Sequence, residues 1–82
     1  MKVWVITQES NGMDETPKLF TEEAKADAYF VSQVNRYVYD SNGENVKATN
    51  YEEADELLAS DGQGMGFFIK LYYLDLPGVK KA

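Results

Sequence analysis

The stretch that most constrains the fold is residues 66–76, whose sequence is GFFIKLYYLDL. Written as a strand, it carries apolar or aromatic side chains on both faces: Phe67, Ile69, Leu71 and Tyr73 on one, and Phe68, Tyr72 and Leu74 on the other. This pattern predicts a central strand covered on both sides, or a strand covered on one side with a partner on the other. Pro77-Gly78 ends the strand, because proline has no N–H to donate to a β ladder.

The first residues of the chain predict a second strand. Residues 2–9, KVWVITQE, again place apolar side chains on both faces. Asn11-Gly12 predicts a tight turn, because both residues tolerate positive φ. Residues 17–20 then predict a short returning strand, which Pro17 confines to the edge of the sheet.

Two helices are expected. Thr21 is predicted to cap the first, which ends near Asn35-Arg36. Its expected apolar stripe contains Ala24, Ala28, Phe30, Val31, Val34, Tyr37 and Val38. Asn50 and Glu53 form a capping-box pattern at the start of the second helix, and Gly62 marks its end.

The segment between the helices, residues 37–48, predicts a β-hairpin. Asn42-Gly43 is the strong signal, because a type I′ turn needs positive φ at both central positions. Together these elements predict an α+β fold: a small, mostly antiparallel sheet of about 4–5 strands with two helices packed on one face. Residues 1–82 are expected to form a single domain, with residues 78–82 as a frayed tail. The relative direction of the first and last strands stays open.

The composition argues against most chemistry. The chain has no cysteine and no histidine, and its serines lie in no recognisable nucleophile motif, so we expect no enzyme. Asp40-Ser41-Asn42-Gly43-Glu44 faintly resembles a calcium loop, but its glycine comes too early and Tyr51 stands where the closing glutamate belongs. We therefore expect no metal and no cofactor.

The charge balance limits the partners. A net charge of −6 disfavours direct binding to nucleic acid or to an anionic membrane. No apolar run approaches the length of a membrane span or a signal-peptide core. The expectation is a cytoplasmic protein.

An acidic helix is the first candidate binding feature. It carries Glu52, Glu53, Asp55, Glu56 and Asp61 in a window, residues 48–69, that contains no lysine or arginine. One interpretation is an ordinary solvated helix face. The other is a negative patch, extended by Glu9, Asp14 and Glu15, that docks on a basic surface of a protein partner.

Tyrosines form the second candidate contact set. The chain has six, and Tyr39 and Tyr72 are the two that we expect at a partner interface. The alternative is packing within the core and sheet. Because so small a domain has no covalent or metal reinforcement, a symmetric homodimer is also expected.

Parts of the chain resemble known proteins. The segments KVWVITQES, LFTEEAKADAYF and FFIKLYYLDL resemble small phage and bacterial proteins built as hairpin, helix and C-terminal strand, which implies a mobile-element setting. The order of Gln8-Glu9-Ser10, an acidic helix, Tyr39-Asp40 and Glu44-Asn45-Val46 is more weakly similar to the uracil-DNA glycosylase inhibitor family, acidic phage proteins that imitate DNA. This chain is less negative and has a single strand in place of that family's C-terminal hairpin, so the activity is not transferred.

Two functional hypotheses follow. The first is a non-enzymatic acidic binding protein, a phage-encoded inhibitor of a host nucleic-acid-processing or defence enzyme, of the anti-restriction or anti-CRISPR type. It would act by occupying a basic surface. The alternative is a self-associating structural or regulatory module with no nucleic-acid-enzyme target.

Overall fold

The computed structural model describes residues 2–62 and 64–75. The elements follow in the order β1 (Lys2–Ser10), β2 (Met13–Asp14), β3 (Lys18–Phe20), α1 (Glu23–Tyr37), α2 (Tyr51–Asp61) and β4 (Phe67–Asp75). The predicted α+β class, with a four-stranded antiparallel sheet, is confirmed. The expected frayed tail, residues 78–82, lies outside the described residues.

The centre of the sheet is β1. It pairs with β4 along its whole length, from Lys2 opposite Asp75 to Ser10 opposite Phe67. Its other edge pairs with β2 near Ser10 and with β3 near Trp4, and every pairing is antiparallel. Of the two alternatives for this stretch, the central strand is wrong, because β2 and β3 occupy one edge of β1 and β4 pairs with β1 alone among the described residues. The other alternative, a strand covered on one side with a partner on the other, stays a prediction.

The first turn explains this arrangement. Asn11 and Gly12 adopt φ values of 52° and 82°, the two positive values that a type I′ turn requires. The chain therefore returns directly along β1. The predicted short returning strand is present as β3, which begins one residue after Pro17 and pairs with β1 alone among the described residues.

The helix α1 begins later than expected. Glu22 is the N-cap residue and makes no side-chain capping bond, so the prediction that Thr21 caps the helix is wrong. The buried face is formed by Ala26, Phe30 and Val34 and continues to the buried Val38. These residues repeat every four positions on one side of the helix.

Two residues of the predicted stripe are misplaced. Ala24 and Ala28 are exposed. They lie on the other side of the helix from Phe30, whose larger apolar area fixes which side turns inward.

The core lies between α1, α2 and one face of the sheet. Its buried members are Ile6, Phe30, Val34, Val38, Val46, Ala48, Ala54, Phe67 and Ile69. The ring of Tyr51 joins the two helices by packing against Phe30, with ring centroids 4.8 Å apart. Both helices therefore cover the same face of the sheet, which we call the inner face.

The predicted capping box at α2 is present with one change. The Asn50 side-chain oxygen accepts a hydrogen bond from the Glu53 backbone N–H at 2.8 Å. In return, Glu53 accepts from the N–H of Thr49, one residue before the cap, also at 2.8 Å. At the other end, a Cβ on Gly62 would lie 2.5 Å from the Leu58 carbonyl oxygen, so the close approach of the backbone requires glycine there.

The predicted hairpin at residues 37–48 is present as a short antiparallel return, but its turn type was predicted wrongly. One bridge joins Tyr39 and Asn45. On either side of it, the Val46 N–H donates to the Val38 carbonyl at 3.0 Å and the Asp40 N–H donates to the Glu44 carbonyl at 2.7 Å. The Asp40 carboxylate accepts from the backbone N–H groups of Asn42 and Glu44, at 2.8 and 3.0 Å, and so favours a different turn. Gly43 alone adopts positive φ in this turn, at 80°, which excludes type I′.

One side chain holds this irregular segment against α1. Asn35 donates to the Ala48 carbonyl at 3.0 Å and accepts from the Ala48 N–H at 2.7 Å. Ala48 is buried, so both of its backbone groups depend on this pair of bonds.

Replacing Asn35 by Ala is expected to destabilise the protein by about 2 kcal/mol, because buried backbone groups of Ala48 lose their partner. For a domain of this size, the melting temperature should fall by roughly 8–16 °C. Asn45→Ala is the matched control, since that side chain makes one exposed hydrogen bond, to the Arg36 carbonyl. Equal melting temperatures for the two variants would contradict the assignment.

Candidate protein-binding surfaces

The register of the sheet divides its side chains between two faces. The face opposite the helices, here called the outer face, carries the odd-numbered residues of β1 and the even-numbered residues of β4, with Leu19 opposite Val5. Neither helix covers this face. In an antiparallel sheet with one face open to water, the side chains on that face are normally polar.

The outer face departs from that rule. Four large apolar side chains on it remain largely exposed: Leu19 at 68%, Phe68 at 63%, Leu74 at 45% and Tyr72 at 43%. Val5 lies between them and is half-buried. Grouped apolar exposure of this kind is typical of a protein-binding surface.

An acidic border lies beside this apolar face. A groove of about 500 Å³, the hairpin groove, contains Phe68, Tyr72 and Pro17 together with Lys70. Its carboxylates are those of Glu9, Asp14 and Glu15. The outer face thus combines apolar side chains with three neighbouring acids and one base.

A second groove lies between the starts of the two helices. This helix-start groove, of about 620 Å³, is lined by three acids, Glu23, Asp27 and Glu52, and by the rings of Trp4, Tyr51, Tyr72 and Tyr73. None of the described residues that line it is basic. Burial and the neighbouring Glu23 raise the pKa of Asp27 above its usual 3.8. Burial, followed by Asp55 and Asp27, raises the pKa of Tyr51.

The predicted acidic patch is divided by the fold. Glu52 lines the helix-start groove, whereas Glu53 and Asp61 line a third groove, of about 420 Å³, beside the turn at residues 40–44. Asp55 and Glu56 are exposed and line neither groove. Glu53 also caps its own helix. The five acids therefore do not form one continuous patch, because one lines the helix-start groove, two line the third groove and two line neither.

The three acids of the first loop that were expected to extend this patch lie away from α2. Glu9, Asp14 and Glu15 line the hairpin groove, which contains no acid of α2. Glu15 additionally accepts a hydrogen bond from the side-chain amide of buried Gln8, at 2.9 Å. Glu9 and Asp14 thus accompany the outer face, whereas the Glu15 carboxylate contacts Gln8 on the inner face.

The two predicted contact tyrosines lie on different surfaces. Tyr72 is on the outer face, whereas Tyr39 follows α1 and its backbone N–H donates to the Met65 sulfur at 3.5 Å. Both are exposed. The sequence interpretation did not include Leu19, Phe68 and Leu74 among the contact residues. The apolar pattern of residues 66–76 left open whether the second face is covered by the same chain or by a partner.

Neither a metal-binding group among the described residues nor a matching protein indicates which of these surfaces is functional. Residues 2–62 and 64–75 contain no group of three acids that could hold a metal ion. In the same ranges, no helix is both long enough and apolar enough to span a membrane. No protein-family model matches the chain, and no match was found among curated proteins or solved structures.

Replacing Asp27 by Asn is expected to stabilise the protein at neutral pH by about 0.2–0.5 kcal/mol, because it removes a charge that burial disfavours and that Glu23, one helical turn away, repels. The folded-state pKa of Asp27 is raised, so its destabilising effect is absent below 3.8 and develops as the pH rises through the raised pKa. Thermal melts should therefore show a gain of about 1–4 °C at neutral pH that vanishes in acid.

The Glu23→Gln variant provides the control for this prediction. Removing that charge should lower the pKa of Asp27, as followed by NMR titration of its carboxyl group. A pKa that does not change would show that Glu23 makes no contribution and would contradict the assigned repulsion.

Proposed function

We propose that this protein is a non-catalytic binding protein that docks on another protein through its outer face. The observation that carries the proposal is the group of four apolar side chains, 43–68% exposed, on a sheet face that neither helix covers. Exposing such area to water is unfavourable by about 25 cal/mol per Å². A partner that covers it recovers this free energy.

The residues on and beside the outer face indicate which kind of partner surface would be complementary to it. In protein interfaces, a few central residues, often aromatic, contribute most of the binding free energy. Phe68 and Tyr72 would be these residues on the outer face. Glu9, Asp14 and Glu15 line the adjoining hairpin groove. The complementary surface has an apolar centre and lysine or arginine side chains beside it, which favour fast association and a fixed orientation.

Enzymes that bind nucleic acid present basic surfaces of this kind, because they must neutralise phosphates. A net charge of −6 directs the protein towards such surfaces. Inhibition of a host nucleic-acid-processing or defence enzyme by a phage-encoded protein therefore fits this proposal. Binding would exclude nucleic acid from the enzyme without any chemical step.

The double variant Phe68→Thr, Leu74→Thr tests the outer face. Threonine keeps β propensity, and both side chains are exposed, so the fold should survive. We expect at least about tenfold weaker binding, equivalent to about 1.4 kcal/mol. The measurement is titration calorimetry with a partner first identified by capture from host lysate.

Met13→Thr is the matched control. Met13 is 74% exposed but lies opposite Ser10, on the other side of the sheet from Phe68. Its replacement should leave binding unchanged. Equal losses for the control and the double variant, or no loss for either, would contradict docking through the outer face.

A second candidate is docking through the acids of α2, favoured by the position of Glu52 beside Glu23 and Asp27 in the helix-start groove. Replacing Glu52, Glu53, Asp55 and Glu56 by glutamine removes four charges and should leave the helix intact. If α2 is the docking surface, the association rate falls and its salt dependence flattens. If the outer face is the docking surface, the four-glutamine variant loses far less affinity than the Phe68→Thr, Leu74→Thr double variant.

A further inference from the structure

We infer that a second copy of this chain pairs with residues 68–74 along the edge of β4 that faces away from β1, in antiparallel register about Leu71, to form a symmetric dimer. This inference concerns the edge of the sheet and does not rest on the proposed function of its outer face. The interface would be a continuous sheet running from one copy into the next.

The starting observation is the edge itself. Among the described residues, β4 pairs with β1 alone, which leaves its other side without a strand. Edge strands are usually protected by proline, by shortness or by several charges. Between Phe67 and Leu74, β4 has only Lys70 as a charge and no proline. It is also nine residues long, as long as β1.

The sequence of β4 is self-complementary in one register. On the outer face it reads Phe68, Lys70, Tyr72, Leu74, so that each end is apolar. Antiparallel pairing about Leu71 places Phe68 opposite Leu74 of the second copy and Lys70 opposite its Tyr72. The apolar side chains then pack against each other across the interface, and the Lys70 ammonium group of each copy lies beside the Tyr72 ring of the other. Pairing about Lys70 would instead set two like charges opposite each other.

The helix side of the same edge offers a matching pocket. An edge pocket of about 200 Å³ lies between the end of α2 and β4, lined by Leu58, Gly62 and Phe67 with the next three residues of β4. In the register about Leu71, the residue opposite Ile69 is Tyr73 of the second copy. Tyr73 is 50% exposed in the single chain. Its ring packs on Trp4 of its own chain, with centroids 5.6 Å apart, so its exposed side would contact the edge pocket of the second copy, and symmetry would repeat the contact.

This symmetry also determines how the outer faces are arranged. A two-fold axis perpendicular to the sheet keeps the helices of both copies on one side and both outer faces on the other. The dimer would therefore present one continuous apolar surface of twice the width. A partner with two equivalent sites would bind it more tightly than a single chain.

Charge substitution at Tyr72 tests the register. In the proposed dimer, residue 72 of each copy lies opposite Lys70 of the other, so the interface contains this pair twice. Tyr72→Glu therefore creates two opposite-charge pairs, and Tyr72→Lys creates two like-charge pairs. We expect the dimer dissociation constant of the lysine variant to exceed that of the glutamate variant by about tenfold or more. Sedimentation equilibrium of the full chain at low salt measures both constants.

Leu19→Glu and Leu19→Lys form the matched control pair. Leu19 is exposed on the same outer face but lies in β3, on the far side of β1. These variants change the net charge in the same way without meeting Lys70. Their dissociation constants should differ much less than those of the Tyr72 pair.

A single cysteine gives an independent test, because the natural chain has none. In the proposed register, residue 71 faces its own copy across the two-fold axis, within the range of Cα separations that a disulfide spans. Oxidised Leu71→Cys should form a covalent dimer, whereas Ser60→Cys, on α2, should not. Circular dichroism and a thermal melt of the reduced Leu71→Cys variant show whether this variant is folded.

The outcomes separate clearly. A dimer with the expected order at Tyr72 and the disulfide at residue 71 supports the inference. A dimer insensitive to both substitutions overturns it, because another surface then forms the contact. A monomer at high micromolar concentration also overturns it. A monomer would leave the outer-face proposal intact, since that proposal is tested by partner binding.

Discussion

Packing of Phe30 and its neighbours on α1 against the inner face of the sheet is the contact on which the rest of this structure depends. Phe30, Val34 and Val38 are essentially inaccessible to water and lie with Ile6, Phe67 and Ile69. The α2 helix attaches to this assembly through Tyr51, which packs on Phe30. Both helices belong to this assembly, and neither covers the outer face. The described part of the sheet therefore has one covered face and one open face.

The open face makes the aromatic and aliphatic residues of β4 functionally interesting. In a larger protein, Phe68 and Leu74 would be covered by another layer of structure. Here they are exposed, beside a groove that carries Glu9 and Asp14. The two surfaces of β4 serve different proposals: its outer face offers side chains to a partner, whereas its edge offers backbone hydrogen bonds to a second copy. Both can operate in one assembly, because pairing at the edge leaves the outer face open.

The acidic character of the chain is spread over the fold. Glu53 accepts a hydrogen bond at the start of α2, and Glu15 accepts one from Gln8. Asp40 organises a turn through two backbone bonds. Several carboxylates therefore have local structural roles, and net charge alone does not locate a binding surface. What the charge does determine is the kind of partner, because an acidic protein is attracted to a basic surface and repelled by phosphates.

The sequence by itself determined the elements whose signals are local. The strand β1, the Asn11-Gly12 turn and the Asn50 cap of α2 depend on residues within a few positions of one another, and each was predicted correctly. The turn at residues 40–44 was predicted with the wrong geometry, because the two bonds to the Asp40 side chain outweighed the preference of Asn42-Gly43. Only the tertiary structure decided that β1 is the central strand and that β4 lies at the edge. It also decided that Phe68 is exposed while Phe67 is buried, since this depends on which face receives the helices, and residues of both faces are equally apolar in the sequence.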